Sequence, residues 1–307
     1  MFSHNFSTII IDTEKLIIKY VVFGGIILEY ISYYIAVYFL EGIFSLSPNF
    51  TYCDGWESVI YAVIMFFLGG ALASFSCVLA ERIPSRKKWW GKERSHCNEC
   101  GKQLVWYELI PVLSYIFLRG KCHKCGAVIP SCYFKAELAS GIFLAASYLT
   151  FGFSFGCLIS IFLTPFFAFH YITDIKNMIL YDEITAGIAV AAICYRLHIS
   201  MIASDYTLLY SGFIAGLMAI LISYPLSIMG WFGSGDTLLY GALAILLGKY
   251  LVIPIFFIAA CVGLVSIAFN WVTGFILKGD KKIPQIIPYG PALCMAASLI
   301  WLFSPYR

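Results

Sequence analysis

Long apolar runs, broken by very few charges, constrain this chain more than any other feature of its 307 residues. Hydrophobic residues make up 61% of it and charged residues 12%, and the mean hydropathy is +0.86. A water-soluble domain of this size does not carry so much apolar surface, so the composition reads as an integral membrane protein. The runs suit helices of about 20 residues and lack the roughly 10-residue alternation of an outer-membrane barrel. The fold class is therefore all-α: a polytopic membrane bundle of about nine helices, with one polar excursion.

The apolar runs place helices over residues 17–44, 59–80, 136–150, 156–172, 184–202, 208–230, 237–247, 251–276 and 286–303. Asp12, Glu14, Lys15 and Lys19 precede the first run, and no Ala-x-Ala cleavage pattern ends it, so it reads as a retained helix and not as a signal peptide. Glu29 and Glu41 interrupt that run, which also suits a tilted or interfacial helix. The 237–247 run is too short to cross about 30 Å of hydrocarbon unaided. Four regions follow: an extension over 1–58 with an added membrane helix, a first core helix over 59–80, a polar loop over 81–135, and a membrane core over 136–307.

Charge orients these spans. Of the 20 Lys and Arg residues, 11 fall between Glu81 and Lys135, so this loop belongs in the cytoplasm. Alternation outward from it puts the turn at Asp174 inside, the 200–206 turn outside, and the 233–236 turn inside. The basic cluster at 278–282, not used to set the orientation, also falls inside. Nothing calls for a nucleic-acid partner; the partner the composition implies is the lipid bilayer.

Within the basic loop, Cys97-Asn-Glu-Cys100 and Cys122-His-Lys-Cys125 form two CxxC pairs separated by 21 residues. Two such knuckles supply four thiolates to tetrahedral zinc and close a loop that lacks a core of its own. Two disulfides or a dithiol redox pair compete, but the reducing cytosol favours zinc. His96 and His123 stand nearby as substitute ligands, although four cysteines already fill the shell. A closed shell leaves no position for water, so this metal is structural. The remaining seven cysteines are scattered, mostly on apolar runs, as small buried hydrophobes.

Two aspartates stand where helices meet the cytosol: Asp174 in His170-Tyr-Ile-Thr-Asp174, and Asp236 in Gly233-Ser-Gly-Asp236. Taken singly, an aspartate before a helix is usually an N-cap, and one at a membrane boundary is usually solvated. Taken together, on one side and at one depth, they suit the chemistry of two carboxylates sharing a proton, one activating water and the other polarising a peptide carbonyl. Gly233 and Gly235 let the backbone before Asp236 adopt positive φ and come close to another helix or an extended substrate. Asp182 and Glu183 lie in the same inside turn, as cap or substrate-contact residues, with Asp182 the alternative catalyst.

These residues resemble the bacterial type IV prepilin peptidases, membrane proteases of the GxGD aspartyl class. The resemblance runs from about Gly69 to Asp236 and includes Phe75, the Arg82-Ile-Pro84 exit, Ile110-Pro-Val-Leu-Ser114, Leu118-Arg-Gly-Lys-Cys122, Glu137-Leu138 with Gly141, Asp174 through Asp182-Glu-Ile-Thr185, and Gly233 to Asp236. Three departures stand out: Cys77 where the family usually has Asn, Leu180-Tyr-Asp182 in place of Leu-Pro-Asp, and the 17–44 helix as a ninth beyond the usual eight.

The resemblance implies an enzyme of the bacterial inner membrane that removes the short basic leader of prepilins or type II secretion pseudopilins at the cytoplasmic face, just after a glycine. It also implies N-methylation of the new N-terminal residue with S-adenosylmethionine, although no Gly-rich fingerprint of a Rossmann site is present. Glu81, Glu137, Asp182 and Glu183 are the acidic residues available to a basic leader. Two other classes compete: an ion-coupled transporter using intramembrane aspartates, and a thiol oxidoreductase using the CxxC pairs.

Overall fold

The computed structural model of the chain describes residues 55–85, 94–278 and 288–303. All of these belong to one compact unit, Phe50–Arg307. The helix anticipated over 17–44 and most of the 278–282 basic cluster lie outside the described residues.

Among the described residues the structure is helical, with β-structure confined to two isolated bridges in the cysteine loop. The helices are α1 (Trp56–Arg82), α2 (Leu113–Phe117), α3 (Ser131–Phe151), α4 (Phe155–Asn177), α5 (Asp182–Ala203), α6 (Thr207–Ile228), α7 (Ser234–Leu247), α8 (Val252–Lys278) and α9 (Gly290–Phe303). Five apolar helical stretches are long enough to cross a membrane: α1, α4, α5, α6, and Lys249–Ala268 at the start of α8. With 14 residues each, α7 and α9 reach only about 21 Å and do not span on their own.

Helices in lipid gain little from apolar burial against one another, so close packing through small residues carries the association. Gly69 on α1 meets the Ser140 carbonyl and Gly141 on α3, while a Cβ on Gly141 would lie 2.9 Å from Phe66. Gly216 on α6 and Gly241 on α7 approach in the same way, with Ile245 and Ile220 filling the flanks. The lipid-facing side of α6 is correspondingly apolar and exposed, as at Leu217, Leu221 and Ile228.

The short α7 ends inside the bundle, where its last carbonyls need partners. Buried Arg196 on α5 donates from Nε to the Ile245 carbonyl at 3.0 Å. Its guanidinium occupies the space over Gly248, whose φ of 91° ends the helix without a Cβ. At the other end of the bundle, Lys176 in the last turn of α4 reaches Glu81 of α1 at 2.8 Å and also contacts Tyr133 of α3, which bonds Glu81 in turn. This contact gathers the ends of α1 and α4 and the start of α3 at the end of the bundle that carries the cysteine loop.

Candidate active site

Both aspartates lie one turn deeper in their helices than the hydropathy suggested. The 156–172 run stops short of Asp174, but α4 continues to Asn177 and closes on Met178 in the left-handed region, φ 54°. Asp174 is therefore buried within the last turn. Likewise α7 begins at Ser234, with Gly233 as its N-cap, so Asp236 is the third helical residue and not the cap.

Asp236 turns back to the Gly233 amide, as a third-position acid does in a capping box. That accounts for one oxygen only: among the described residues nothing bonds Oδ1, which is buried. An unpaired carboxylate oxygen in a bundle interior is costly. Among the described residues the nearby Lys176, two residues beyond Asp174, is committed to Glu81 and Tyr133 instead. Asp174 lies close enough to act on Asp236 electrostatically, and buried Cys294 on α9 feels both carboxyls.

Of the two properties expected of the glycines before Asp236, positive φ and close approach, only the second is used. Neither Gly233 nor Gly235 has positive φ. What each provides is space: a Cβ on Gly233 would lie 2.7 Å from Asp236 Oδ2, and one on Gly235 would lie 3.0 Å from Leu180 Cβ. Leu180 in turn packs against Gly290, so the turn after Asp174 touches both the loop before Asp236 and the start of α9. Close approach, and not an unusual backbone conformation, requires glycine here.

A contact the sequence did not suggest completes the site. The Gly290 backbone N–H donates to Asp174 Oδ2 at 2.9 Å. The apolar run over 286–303 passes straight through this position, although Gly290-Pro291 carries a start signal, proline in the first turn preceded by the one residue that lets backbone approach closely.

The other acidic candidates are placed elsewhere. Asp182 and Glu183 form the exposed first turn of α5, where a negative charge complements the helix dipole. Glu81 belongs to the contact with Tyr133 and Lys176. Glu137 accepts the Val112 N–H at 2.8 Å and clamps the loop backbone at a residue with φ 65°. Thr185 pairs with buried His170 at 3.1 Å and ties α5 to α4 one turn from Asp174.

In the loop, the sulfurs of Cys97, Cys100, Cys122 and Cys125 all lie within 4.8 Å of one another. Four thiolates at about 2.3 Å from one metal stand about 3.8 Å apart, and the Cys97 and Cys125 sulfurs are 3.9 Å apart. Each knuckle closes on itself: Cys97 N–H donates to Lys102 and Gly101 N–H to Cys97, and Cys122 and Gly126 repeat the pattern. Gly101 and Gly126 take φ of 66° and 71° at the two turns. The Cys125 and Lys124 amides hold the Cys122 thiol below its ordinary value, which favours the thiolate a metal requires. The set therefore fits a metal ion. Beside it, burial works to raise the Glu108 carboxyl, but bonds from Lys102 at 2.6 Å and the Val105 amide outweigh this and hold it below the usual range.

Comparison with known proteins bears on both regions. Residues 67–151 match the Bacterial Peptidase A24 N-terminal domain, and residues 161–268 match the Type IV leader peptidase family. A Bacillus subtilis prepilin leader peptidase/N-methyltransferase is 30% identical over 240 residues, covering 78% of this chain and 93% of that protein. The Vibrio cholerae protein of the same name is 26% identical over 259 residues, covering 79% of this chain and 96% of its own length. A Myxococcus xanthus protein, again of that name, is 33% identical over 142 residues, covering 45% of this chain and 42% of its own. No solved structure matches.

Proposed function

This chain belongs to the type IV leader peptidase family, and on that footing we propose that it removes the leader of a prepilin or pseudopilin with Asp174 and Asp236 as its catalytic pair. The observation that carries the proposal is the meeting of two carboxylates from the ends of α4 and α7, one with a buried oxygen that nothing in the described structure bonds. One carboxylate takes a proton from water as the water oxygen adds to the scissile carbonyl. The other gives its proton to the carbonyl oxygen, and the tetrahedral diol then collapses with a proton passing to the leaving amine. Leu180 and Gly290 pack around the buried Asp174 carboxylate and limit its access to water.

The contact of Glu81 with Lys176 puts the aspartates at the bundle end that carries the basic cysteine loop. The positive-inside rule makes that end cytoplasmic, in the inner membrane of a bacterium. A prepilin's basic leader stays in the cytosol while its apolar helix lies in the bilayer, which brings the scissile bond to this depth. Zinc is the metal we assign to Cys97, Cys100, Cys122 and Cys125, holding the loop in shape and taking no part in hydrolysis.

The relatives' name also includes N-methyltransferase, and methyl transfer comes to this chain on that name, with S-adenosylmethionine as the donor we assign to it. The described residues form no parallel sheet to cradle a nucleotide in the Rossmann manner. The relatives lend the ion-coupled carrier no support.

The test is cleavage of a prepilin by purified protein in detergent. Asp174→Asn and Asp236→Asn should each insert and fold but leave the substrate uncut. Normal cleavage by either variant would refute the assignment.

A further inference from the structure

We propose that Tyr289 and Gly290, the residues that open α9, are positioning residues that set the two aspartates against each other. The inference rests on the two-aspartate reading and adds a third element to it. Gly290 acts on Asp174 directly, its amide donating to Oδ2 at 2.9 Å in a buried contact. A Cβ at this position would lie 2.9 Å from that same oxygen and 2.9 Å from Leu180 Cδ2, so only glycine lets the amide come so close.

Tyr289 acts on the other aspartate through one intermediary. Its ring meets the ring of Phe232 at 5.1 Å and 69°, and Phe232 immediately precedes Gly233, the N-cap of the helix bearing Asp236. The Tyr289 hydroxyl donates to the Phe256 carbonyl at 3.2 Å, which fixes the ring against α8. Two consecutive residues thus hold Asp174 by its carboxylate and Asp236 by the entry to its helix.

The remainder of α9 makes these two residues a firm support. Near its far end, Trp301 Nε1 donates to Ser160 Oγ at 2.9 Å, both groups buried, which pins α9 along α4 some 14 positions before Asp174. Cys294, one turn beyond Gly290, is buried on the same helix. No residue of α9 is charged, so its influence on the reaction passes through the Gly290 amide and through shape.

Steady-state cleavage of a synthetic prepilin by the full chain in detergent tests this. Gly290→Ala should lower kcat by about a hundredfold with KM changed less than about twofold, since a displacement near 1 Å at a reacting group costs on that order. Adding Leu180→Ala removes the leucine contact but leaves the collision with the carboxylate, so the double variant should stay slow. Tyr289→Ala should also lose kcat, and Tyr289→Phe, which keeps the ring against Phe232, should regain most of it; this pair gives the same reading if Gly290→Ala does not insert. Wild-type kcat in Gly290→Ala, a loss confined to KM, rescue by Leu180→Ala, or equal losses in both Tyr289 variants would overturn the proposal. If Asp174→Asn and Asp236→Asn are inactive while Gly290→Ala is normal, only the role of α9 falls.

Discussion

Replacing Gly233 and Gly235 by alanine, one at a time, separates two effects that the short segment before Asp236 combines. At Gly233 the added Cβ would lie 2.7 Å from Asp236 Oδ2, the free end of a side chain. Restoring an ordinary contact of about 3.4 Å moves the carboxylate by roughly 0.7 Å while α7 stays in place, and a shift of that size at a reacting group costs on the order of a hundredfold in kcat. At Gly235 the Cβ would meet Leu180 Cβ at 3.0 Å, next to backbone that cannot swing aside. That is mild overpacking, about 1 kcal/mol, and it should appear in the thermal melt more than in turnover. The assay is prepilin cleavage with kcat and KM determined separately, beside a melting curve for each purified variant. Gly233→Ala should melt like the parent and cut about a hundredfold more slowly, whereas Gly235→Ala should melt lower and lose less activity. The opposite ranking in kcat, or unchanged turnover in Gly233→Ala, would refute the argument from carboxylate displacement.

The cysteine loop yields two further expectations. Metal analysis of purified protein should find one zinc per chain, lost when two or more of Cys97, Cys100, Cys122 and Cys125 become serine; such variants should be cut by proteases within residues 94–130 while the membrane helices survive. Active protein free of metal would point to thiol chemistry instead. Glu108, whose carboxyl is held below its ordinary range, contributes loop stability that is full above the unfolded value near 4.3 and is lost as pH falls through the lower folded value. Hydrogen exchange across the loop should therefore accelerate on acidification below about pH 4, and Glu108→Gln should flatten that dependence. Equal acid sensitivity in the variant would place its origin elsewhere.

The parts of the molecule legible in the sequence were those that depend on composition and local spacing. Apolar run lengths located eight helices, and the two CxxC pairs announced a cluster whose sulfurs do converge. Asp174 and Asp236 were visible because acids in apolar surroundings are rare. Their exact settings were not, since a hydropathy edge ends at the first polar side chain while backbone hydrogen bonding continues: α4 runs five residues past Ile172, and α7 begins three before Thr237. Contacts between distant segments left no local trace. Lys176 and Glu81 are 95 positions apart, Gly290 and Asp174 are 116 apart, and only the fold pairs them. Of the two reasons the sequence offers for the glycines before Asp236, positive φ and close approach, only close approach holds, because a sequence cannot distinguish a glycine needed for its φ from one needed for its missing Cβ.

The two fastened ends of α7 carry a consequence for how such a sequence can diverge. Arg196 holds the Ile245 carbonyl at one end, while Gly233, Gly235 and Leu180 fix the other. One residue inserted between Thr237 and Ile245 would turn Asp236 by about 100° and displace it about 1.5 Å along the axis, away from Asp174. Apolar side chains along this helix can be exchanged for others of similar volume without that penalty. Selection can therefore rewrite the letters of α7 far more freely than it can change their number.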